Sequence, residues 1–168
     1  MPSEQRSADS SPATGASRLL DDVNRRLLSE LQADPRISMS ALARRVGMSP
    51  PAVTERVERL ERAGVISGYR MDVDPAALGL PVTAFARLRP AAGQLNKVAE
   101  LVATMPHVTE CHRITGEDCF LLKVHASSVE RLADTLDRLQ FHGQTVTSIV
   151  VSSPVPRRPL PLEINDSD

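Results

Sequence analysis

The stretch Ser40-Ala-Leu-Ala-Arg-Arg-Val-Gly-Met-Ser-Pro-Pro-Ala-Val53 is typical of two short helices joined by a tight turn. Ala43 is small enough to let the helices approach closely, Gly47 allows the turn, and Val53 fills the corner between them. The second helix begins at Pro50, since proline is favoured at a first helical position. This spacing predicts a helix-turn-helix whose second helix enters a DNA major groove by its N-terminal end and offers free N–H groups to a phosphate.

The flanking sequence extends this motif into a small domain, residues 18–72. Apolar residues at helical spacing predict a preceding helix over 20–31. Ser38 or Ser40 is suited to cap the next helix, and the segment 65–71 reads as a strand or short ribbon. We therefore predict three helices and a wing, that is, a winged helix-turn-helix.

Arginines concentrate on this domain. Seven arginines against three glutamates give the segment 36–70 a charge of +4, whereas the whole chain carries -1. Guanidinium groups suit phosphate and guanine contacts. The predicted DNA contacts lie mainly on the second helix of the motif, at its N-terminal end and on its exposed side. Two more come from the helix before it. The full set is Arg44, Arg45, Ser49, Pro51, Ala52, Thr54, Arg56, Arg59 and Arg62. Two of these arginines follow a glutamate by four residues, a spacing that equally predicts an ordinary salt-bridged surface. The same fold is also equally typical of a winged helix that docks protein instead of DNA.

The second half of the chain follows a different order, β-α-β-β-α-β, which is the ferredoxin-like or split βαβ plan. The fold class is therefore α+β, with a predicted domain over 81–153 behind a linker at 73–80. The predicted elements are strands at 81–89, 108–115, 119–125 and 144–152 and helices at 94–104 and from Ser127 or Ser128 to Leu139. The two ends of the chain lie outside these domains. Residues 1–17 are rich in Ser, Ala and Pro, which predicts a disordered arm. Prolines predict an irregular tail at 154–168.

A sheet of this plan has helices on one face only, yet its predicted strands carry apolar residues on both faces. Such a face is most simply covered by a second copy of the chain. We expect a dimer interface there, with Leu122 or Ile149 at a central position.

Several function classes are excluded by composition. No run approaches the roughly 18 apolar residues of a membrane span, and four aromatic residues provide no surface for stacking RNA bases. The two cysteines, Cys111 and Cys119, favour a reducing cytoplasm over a disulfide framework. Together with His112 and His125 they match no common zinc spacing, so we expect no metal. No nucleophile-plus-base pattern is visible, and we expect no enzyme.

The chain resembles the Lrp/AsnC, or feast/famine, family of transcriptional regulators over about residues 20–152. The resemblance is carried by the stretches LDDVNRRLL (20–28), DPRIS (34–38), LARRVGMS (42–49), RVERLERAGVISGY (56–69) and TGEDCFLLKV (115–124). It implies a DNA-binding N-terminal domain and a C-terminal domain that dimerises and senses amino acids, commonly in assemblies such as tetramers of dimers. Many members read Gly-Asp-x-Asp where this chain has Gly116-Glu117-Asp118-Cys119, so the second acid lies one position earlier.

The effector is expected to be a free amino acid, which needs donors for its carboxylate and acceptors for its ammonium group. The turn after the second strand and the start of the last strand supply both, and the family resemblance points to the same region. The predicted effector residues are Thr115, Gly116, Glu117, Asp118, Cys119, Gln144, Thr145, Thr147 and Ser148. The alternative is that Gly116 to Asp118 form an ordinary polar hairpin turn.

The sequence thus predicts a cytoplasmic, amino-acid-responsive, sequence-specific DNA-binding regulator that acts as a homodimer or a larger homo-oligomer and needs no cofactor. The alternative function is an amino-acid-binding regulatory or accessory module whose helical half docks protein rather than DNA.

Overall fold

The computed structural model describes residues 19–162, which form two compact units. The helical unit comprises the chain up to Met71 and the segment from Arg157 onward, and the sheet unit comprises Asp72–Pro156. The predicted arm at 1–17 lies outside the described residues. Within 19–162, no helix is long and apolar enough to cross a membrane.

Three helices build the helical unit. They are α1 (Asp22–Ala33), α2 (Met39–Val46) and α3 (Pro50–Arg62). Of the two serines considered for α2, Ser38 is the cap, because its side chain accepts a hydrogen bond from the Ala41 N–H at 3.2 Å. Gly47 ends α2 with a φ of 74°, a left-handed conformation that favours glycine.

The helix-turn-helix packs as its spacing predicts. Ala43 is buried where α2 meets its neighbours, and Val53 is fully buried at the start of α3. Both belong to one core cluster with Leu27 of α1, Leu42 of α2 and Val57 of α3. The three helices therefore share a core, and the helix-turn-helix prediction is confirmed.

The predicted strand at 65–71 is wrong. The N–H groups of Val65 and Ile66 both donate to the Leu60 carbonyl, at 3.0 and 3.2 Å, and so close the end of α3 instead of pairing with a strand. Residues 67–71 run on without regular structure. An isolated β segment is not stable without a partner strand, and the helical unit has none among its described residues.

The described part of the predicted tail contacts α1. Nη1 of Arg25 donates to the Leu162 carbonyl at 2.6 Å, and Nε2 of Gln32 donates to the Leu160 carbonyl at 3.3 Å. Residues 157–162 therefore belong to the helical unit, although they follow the last strand in sequence.

The sheet unit has the predicted β-α-β-β-α-β order, and its fold class is confirmed. The elements are β1 (Val82–Pro90), α4 (Leu95–Ala103), β2 (Val108–Arg113), β3 (Phe120–Ala126), α5 (Val129–Gln140) and β4 (Gly143–Ile149). A short 3₁₀ turn at Ala76–Leu78 precedes β1. The sheet is antiparallel, with the strand order β2-β3-β1-β4.

Both helices cover the same face of the sheet. Alternate residues of β1 and β3, such as Leu88, Phe120 and Leu122, are buried with Val98 of α4 and Leu136 of α5. The opposite side, here called the open face, carries the intervening residues of each strand. By register these are Thr83, Phe85, Arg87, Arg89, Glu110, His112, Leu121, Lys123, His125, Gln144, Val146 and Ser148.

The two positions predicted as the centre of the open face lie on the other side. Leu122 is 0% exposed and packs in the core beneath the helices. Ile149 is opposite Ala84, a residue of the same core. Side chains alternate strictly along a strand, so a run of apolar residues does not reveal which of them face the helices. The apolar residues of the open face are Phe85, Leu121 and Val146.

Candidate nucleic-acid interface and effector site

The N-terminal end of α3 is exposed, but it is a poorer anion site than predicted. Pro50 and Pro51 occupy its first two positions and carry no N–H. The Ser49 side chain makes no capping hydrogen bond, so its hydroxyl and the Ala52 N–H remain available among the described residues. Thr54 donates its hydroxyl to the Pro50 carbonyl at 3.0 Å. The predicted set of free N–H groups thus reduces to those of Ser49 and Ala52, together with the Ser49 hydroxyl.

Two predicted DNA contacts, Arg44 on α2 and Arg59 on α3, are exposed guanidinium groups. Neither makes a side-chain hydrogen bond or ion pair with any residue in the described range 19–162. A guanidinium without a protein partner can bind a phosphate at no cost in internal contacts.

Two further predicted contacts carry exposed ion pairs. Nη1 of Arg45 lies 2.6 Å from Oε2 of Glu30, and this hydrogen bond raises the arginine pKa. Nη1 of Arg62 lies 3.5 Å from Oε2 of Glu58, one turn earlier on α3. Exposed pairs of this kind contribute little stability and exchange readily, so both arginines stay accessible to a polyanion.

Arg56 is a partly exposed side chain that bonds to residues at the start of α1. Its Nη1 donates to Oδ2 of Asp21 at 2.9 Å and to Oδ1 of Asn24 at 3.0 Å. Of the five arginines predicted to contact DNA, this is the one bound by two side chains of another helix. No local sequence pattern indicates this contact, because Asp21 and Arg56 are 35 positions apart.

The turn predicted to bind the effector joins β2 to β3 and is anchored to β1. The Ile114 N–H donates to the Cys119 carbonyl and the Cys119 N–H donates to the Leu88 carbonyl, each at 3.0 Å. Gly116 has a φ of 106°, which residues with a side chain rarely adopt. Beside it, the Glu117 carboxylate is largely exposed, whereas that of Asp118 is partly buried.

Both acids of this turn contact arginines that sequence reasoning missed. Arg89 pairs with Glu117, and its Nε lies 3.9 Å from Oδ1 of Asp118. Nη1 of Arg87 lies 3.5 Å from Oδ2 of Asp118. The sequence pattern that could have identified these arginines is the alternation Phe85-Ala-Arg87-Leu-Arg89. It places both arginines on the open face, at the end of β1 nearest the turn.

The predicted effector residues of β4 divide between the two faces. Gln144 lies opposite Arg89, and Ser148 lies opposite Phe85, so both are on the open face. Thr145 and Thr147 lie opposite Leu88 and Ala86, on the face that the helices cover. Because β1 stands between β3 and β4, the turn and the last strand are not adjacent within one chain.

The rest of the open face has its own polar pairs. Nζ of Lys123 donates to Oε1 of Glu110 at 3.1 Å, which lowers the pKa of that carboxyl. Nδ1 of His125 lies 3.0 Å from Oγ1 of Thr83, and burial followed by the charge of Lys123 lowers the pKa of this imidazole. Phe85 and Val146 remain 40% and 50% exposed beside these groups.

The cysteines and histidines do not gather into a metal site. Cys111 and Cys119 are both free. Among residues 19–162, no three His, Cys, Asp or Glu side chains are close enough to hold a metal ion.

Comparison with known families matches both units. A family model for winged helix-turn-helix DNA-binding matches residues 20–67, and a model for the Lrp/AsnC ligand binding domain matches residues 83–160.

Individual relatives agree with these matches. The HTH-type transcriptional regulator LrpC of Bacillus subtilis is 36% identical over 133 residues, which are 79% of this chain and 92% of the relative. The solved structure of LrpC has a TM-score of 0.77 at 34% identity, over 82% of this chain and 98% of that one. A transcriptional regulator of Neisseria meningitidis, solved as an L-Met complex, has a TM-score of 0.77 at 27% identity, over 84% of this chain and 96% of that one.

Proposed function

The chain belongs to the Lrp/AsnC family of DNA-binding, amino-acid-responsive transcriptional regulators, and we propose that α3 reads the operator while the open face beside the turn at 115–119 binds the effector. The family assignment fixes the kind of protein. Charge and geometry support particular residues for the two functions.

The DNA-binding proposal is supported above all by the two unpaired guanidinium groups, Arg44 and Arg59, on adjacent helices of the helix-turn-helix. Arginines in such positions neutralise phosphates on either side of a groove, while residues at the N-terminal end of the recognition helix approach base edges. Ser49, Ala52 and Thr54 are the candidates for that end. The exposed pairs of Arg45 and Arg62 can open to add phosphate contacts.

Selection from random-sequence duplex DNA tests this proposal directly. We expect the purified protein to enrich a pseudo-palindromic sequence, because a twofold dimer presents two copies of α3. Failure to enrich any sequence, combined with binding to a protein, would favour the alternative in which the helical unit docks protein.

The effector proposal depends on the opposite charges at the edge of the open face. An amino acid carries a carboxylate and an ammonium group on one carbon, and here two guanidinium groups stand within ion-pair distance of two carboxylates. We assign the effector carboxylate to Arg87 and Arg89 and the ammonium group to Glu117 and Asp118, with Gly116 allowing close approach.

The other turn residues, Thr115 and Cys119, flank this charge cluster. Gln144 and Ser148 are on the same face one strand further on, whereas Thr145 and Thr147 face the helices. Contributions from β4 of an adjacent subunit would complete the site.

We propose a homodimer formed through the open face, with assembly into a tetramer of dimers, located in the cytoplasm where a regulator meets its DNA. The two helices cover only one face of the sheet, which leaves Phe85, Leu121 and Val146 for a second copy. An amino acid bound at this face would favour one assembly over another and so couple effector to DNA affinity.

A melting screen against the twenty amino acids tests the effector proposal, since a ligand that binds the folded state stabilises it by an amount that grows with the logarithm of its excess over the dissociation constant. Isothermal titration of the strongest stabiliser then compares wild type with Glu117→Ala, Asp118→Ala and Thr147→Ala. We expect the two turn variants to weaken binding most. Wild-type affinity in all three folded variants would place the effector elsewhere.

A further inference from the structure

The contact between Arg56 and the start of α1 involves three side chains, those of Asp21, Asn24 and Arg56. Asp21 is the N-cap of α1, and its Oδ1 accepts a hydrogen bond from the Asn24 N–H at 2.7 Å. Its Oδ2 accepts from Nη1 of Arg56, which also donates to Oδ1 of Asn24. Asn24 is only 5% exposed, and its Nδ2 donates to the Leu19 carbonyl at 2.6 Å. Thus one guanidinium nitrogen of the recognition helix joins two acceptors at the start of α1.

This arrangement assigns a different role to each of two arginines on one helix. Arg59 follows Arg56 by three residues on α3, is exposed and has no partner in the described range. Turning Arg56 toward a phosphate would break both hydrogen bonds and leave the buried amide oxygen of Asn24 unpaired. A buried acceptor without a partner is costly, so the guanidinium of Arg56 stays with α1.

We propose that Arg56 is a positioning residue, not a DNA contact, and that with Asp21 and Asn24 it fixes the angle at which α3 meets the operator. The inference rests on the proposed DNA-binding function of α3. Base readout requires side chains at the N-terminal end of α3 to meet base edges at hydrogen-bond distance. A bond that ties the middle of α3 to the first turn of α1 restrains that placement. The low pKa of the Asp21 carboxyl agrees with its two donors, the Asn24 N–H and the Arg56 guanidinium.

The substitution Asp21→Asn tests this role, because a positioning role and a simple charge effect change DNA affinity in opposite directions. Asparagine is as good an N-cap as aspartate, so α1 keeps its start. The substitution also removes a negative charge from a DNA-binding domain, which by itself strengthens attraction to DNA. If Arg56 positions α3, binding to the enriched duplex nevertheless weakens about fivefold, because a charge-assisted hydrogen bond is lost.

The salt dependence of binding separates Arg56 from a phosphate contact. We expect Arg59→Gln to flatten the slope of log K against log salt by about 0.9, the value for one phosphate. Arg56→Gln should weaken binding about tenfold, but it should change the slope by less than half of the change expected for Arg59→Gln. The double variant Asp21→Asn/Arg56→Gln should bind no more weakly than Arg56→Gln alone, because both changes break one network.

The measurement uses the full chain and the duplex that wild type enriches from random-sequence DNA, with circular dichroism to show that every variant is folded. Asp134→Asn is the matched control, because it breaks an exposed aspartate–arginine pair with Arg131 in the sheet unit. It should leave affinity and slope unchanged. Unchanged or tighter binding by Asp21→Asn, or a slope change in Arg56→Gln equal to that of Arg59→Gln, would overturn the proposal. Failure of wild type to enrich any duplex would instead remove the proposed function, and this inference with it.

Discussion

The two units differ at the arginines that support their functions most strongly, which lack acidic partners in one unit and have them in the other. On the helix-turn-helix, Arg44 and Arg59 extend from α2 and α3 without an acidic partner in the described residues. On the open face of the sheet, Arg87 and Arg89 each face an acid of the turn. Uncompensated positive charge attracts a polyanion, whereas two opposite charges side by side complement a zwitterion. The contrast indicates which unit meets DNA and which meets a free amino acid more clearly than the total charge of the chain does.

The largest expected effect tests whether the open face of the sheet unit is an interface. Leu121 and Leu122 are neighbours in sequence that face opposite sides of β3. Leu122→Asp places a charge in the core at a cost of more than about 4 kcal/mol, enough to unfold the sheet unit. Leu121→Asp should leave the unit folded but shift sedimentation from dimer to monomer. A Leu121→Asp protein that sediments as wild type would show that this face is not the interface.

The next effect concerns the unpaired arginines of the helical unit. Replacing both Arg44 and Arg59 by alanine should weaken operator binding by roughly a hundredfold at low salt, about tenfold for each phosphate contact. Fluorescence anisotropy over a salt series should show the slope of log K flattening by about 1.8. Arg131→Ala, which removes an arginine from the sheet unit, is the control. Wild-type affinity in the double variant would contradict the assignment of α3.

A smaller effect, on effector binding, is expected from the arginines of the open face, which are paired with acidic side chains. Arg89→Gln should weaken effector binding about tenfold, because one charged donor to the carboxylate is lost. The decisive comparison is between the amino acid and its amide, which lacks the carboxylate charge. Wild type should prefer the free acid, and Arg89→Gln should lose most of that preference in titration calorimetry. An unaltered preference in Arg89→Gln, with Arg131→Gln as control, would remove Arg89 from the site.

The smallest effect is a pH dependence of the sheet unit. The folded-state pKa of His125 is lowered by burial and by Lys123, so below the ordinary value of 6.5 the unfolded chain binds the proton first. The unit should therefore lose stability as pH falls through 6.5 toward the lower folded value. Thermal unfolding between about pH 7.5 and about pH 5.5 should show a lower midpoint in acid. His125→Gln should reduce this dependence, and a dependence as large as that of wild type in this variant would contradict the assignment to His125.

Much of each unit was predictable because local signals agreed with the fold. Capping serines, Pro50 and Gly47 set helix ends within a few residues of those observed, and Gly116 marked the turn. The prediction of a strand at 65–71 was wrong because a strand requires a partner strand, which the local sequence does not supply. The choice of Leu122 failed because β3 is apolar on both faces, and only the packing of α4 and α5 decides which side is core.

The sequence by itself determined the helix-turn-helix, the β-α-β-β-α-β order and the family, since spacing of glycine, proline and apolar residues acts over a few positions of the chain. Tertiary structure alone decided the partner of each charged side chain. Arg56 meets Asp21 across 35 residues, and Arg89 meets Glu117 across 28. The energy of such pairs depends on distance in space and on burial, not on separation along the chain. For that reason the sequence identified the arginines of the helical unit as a group, and only the fold distinguished those that are free from those that are held.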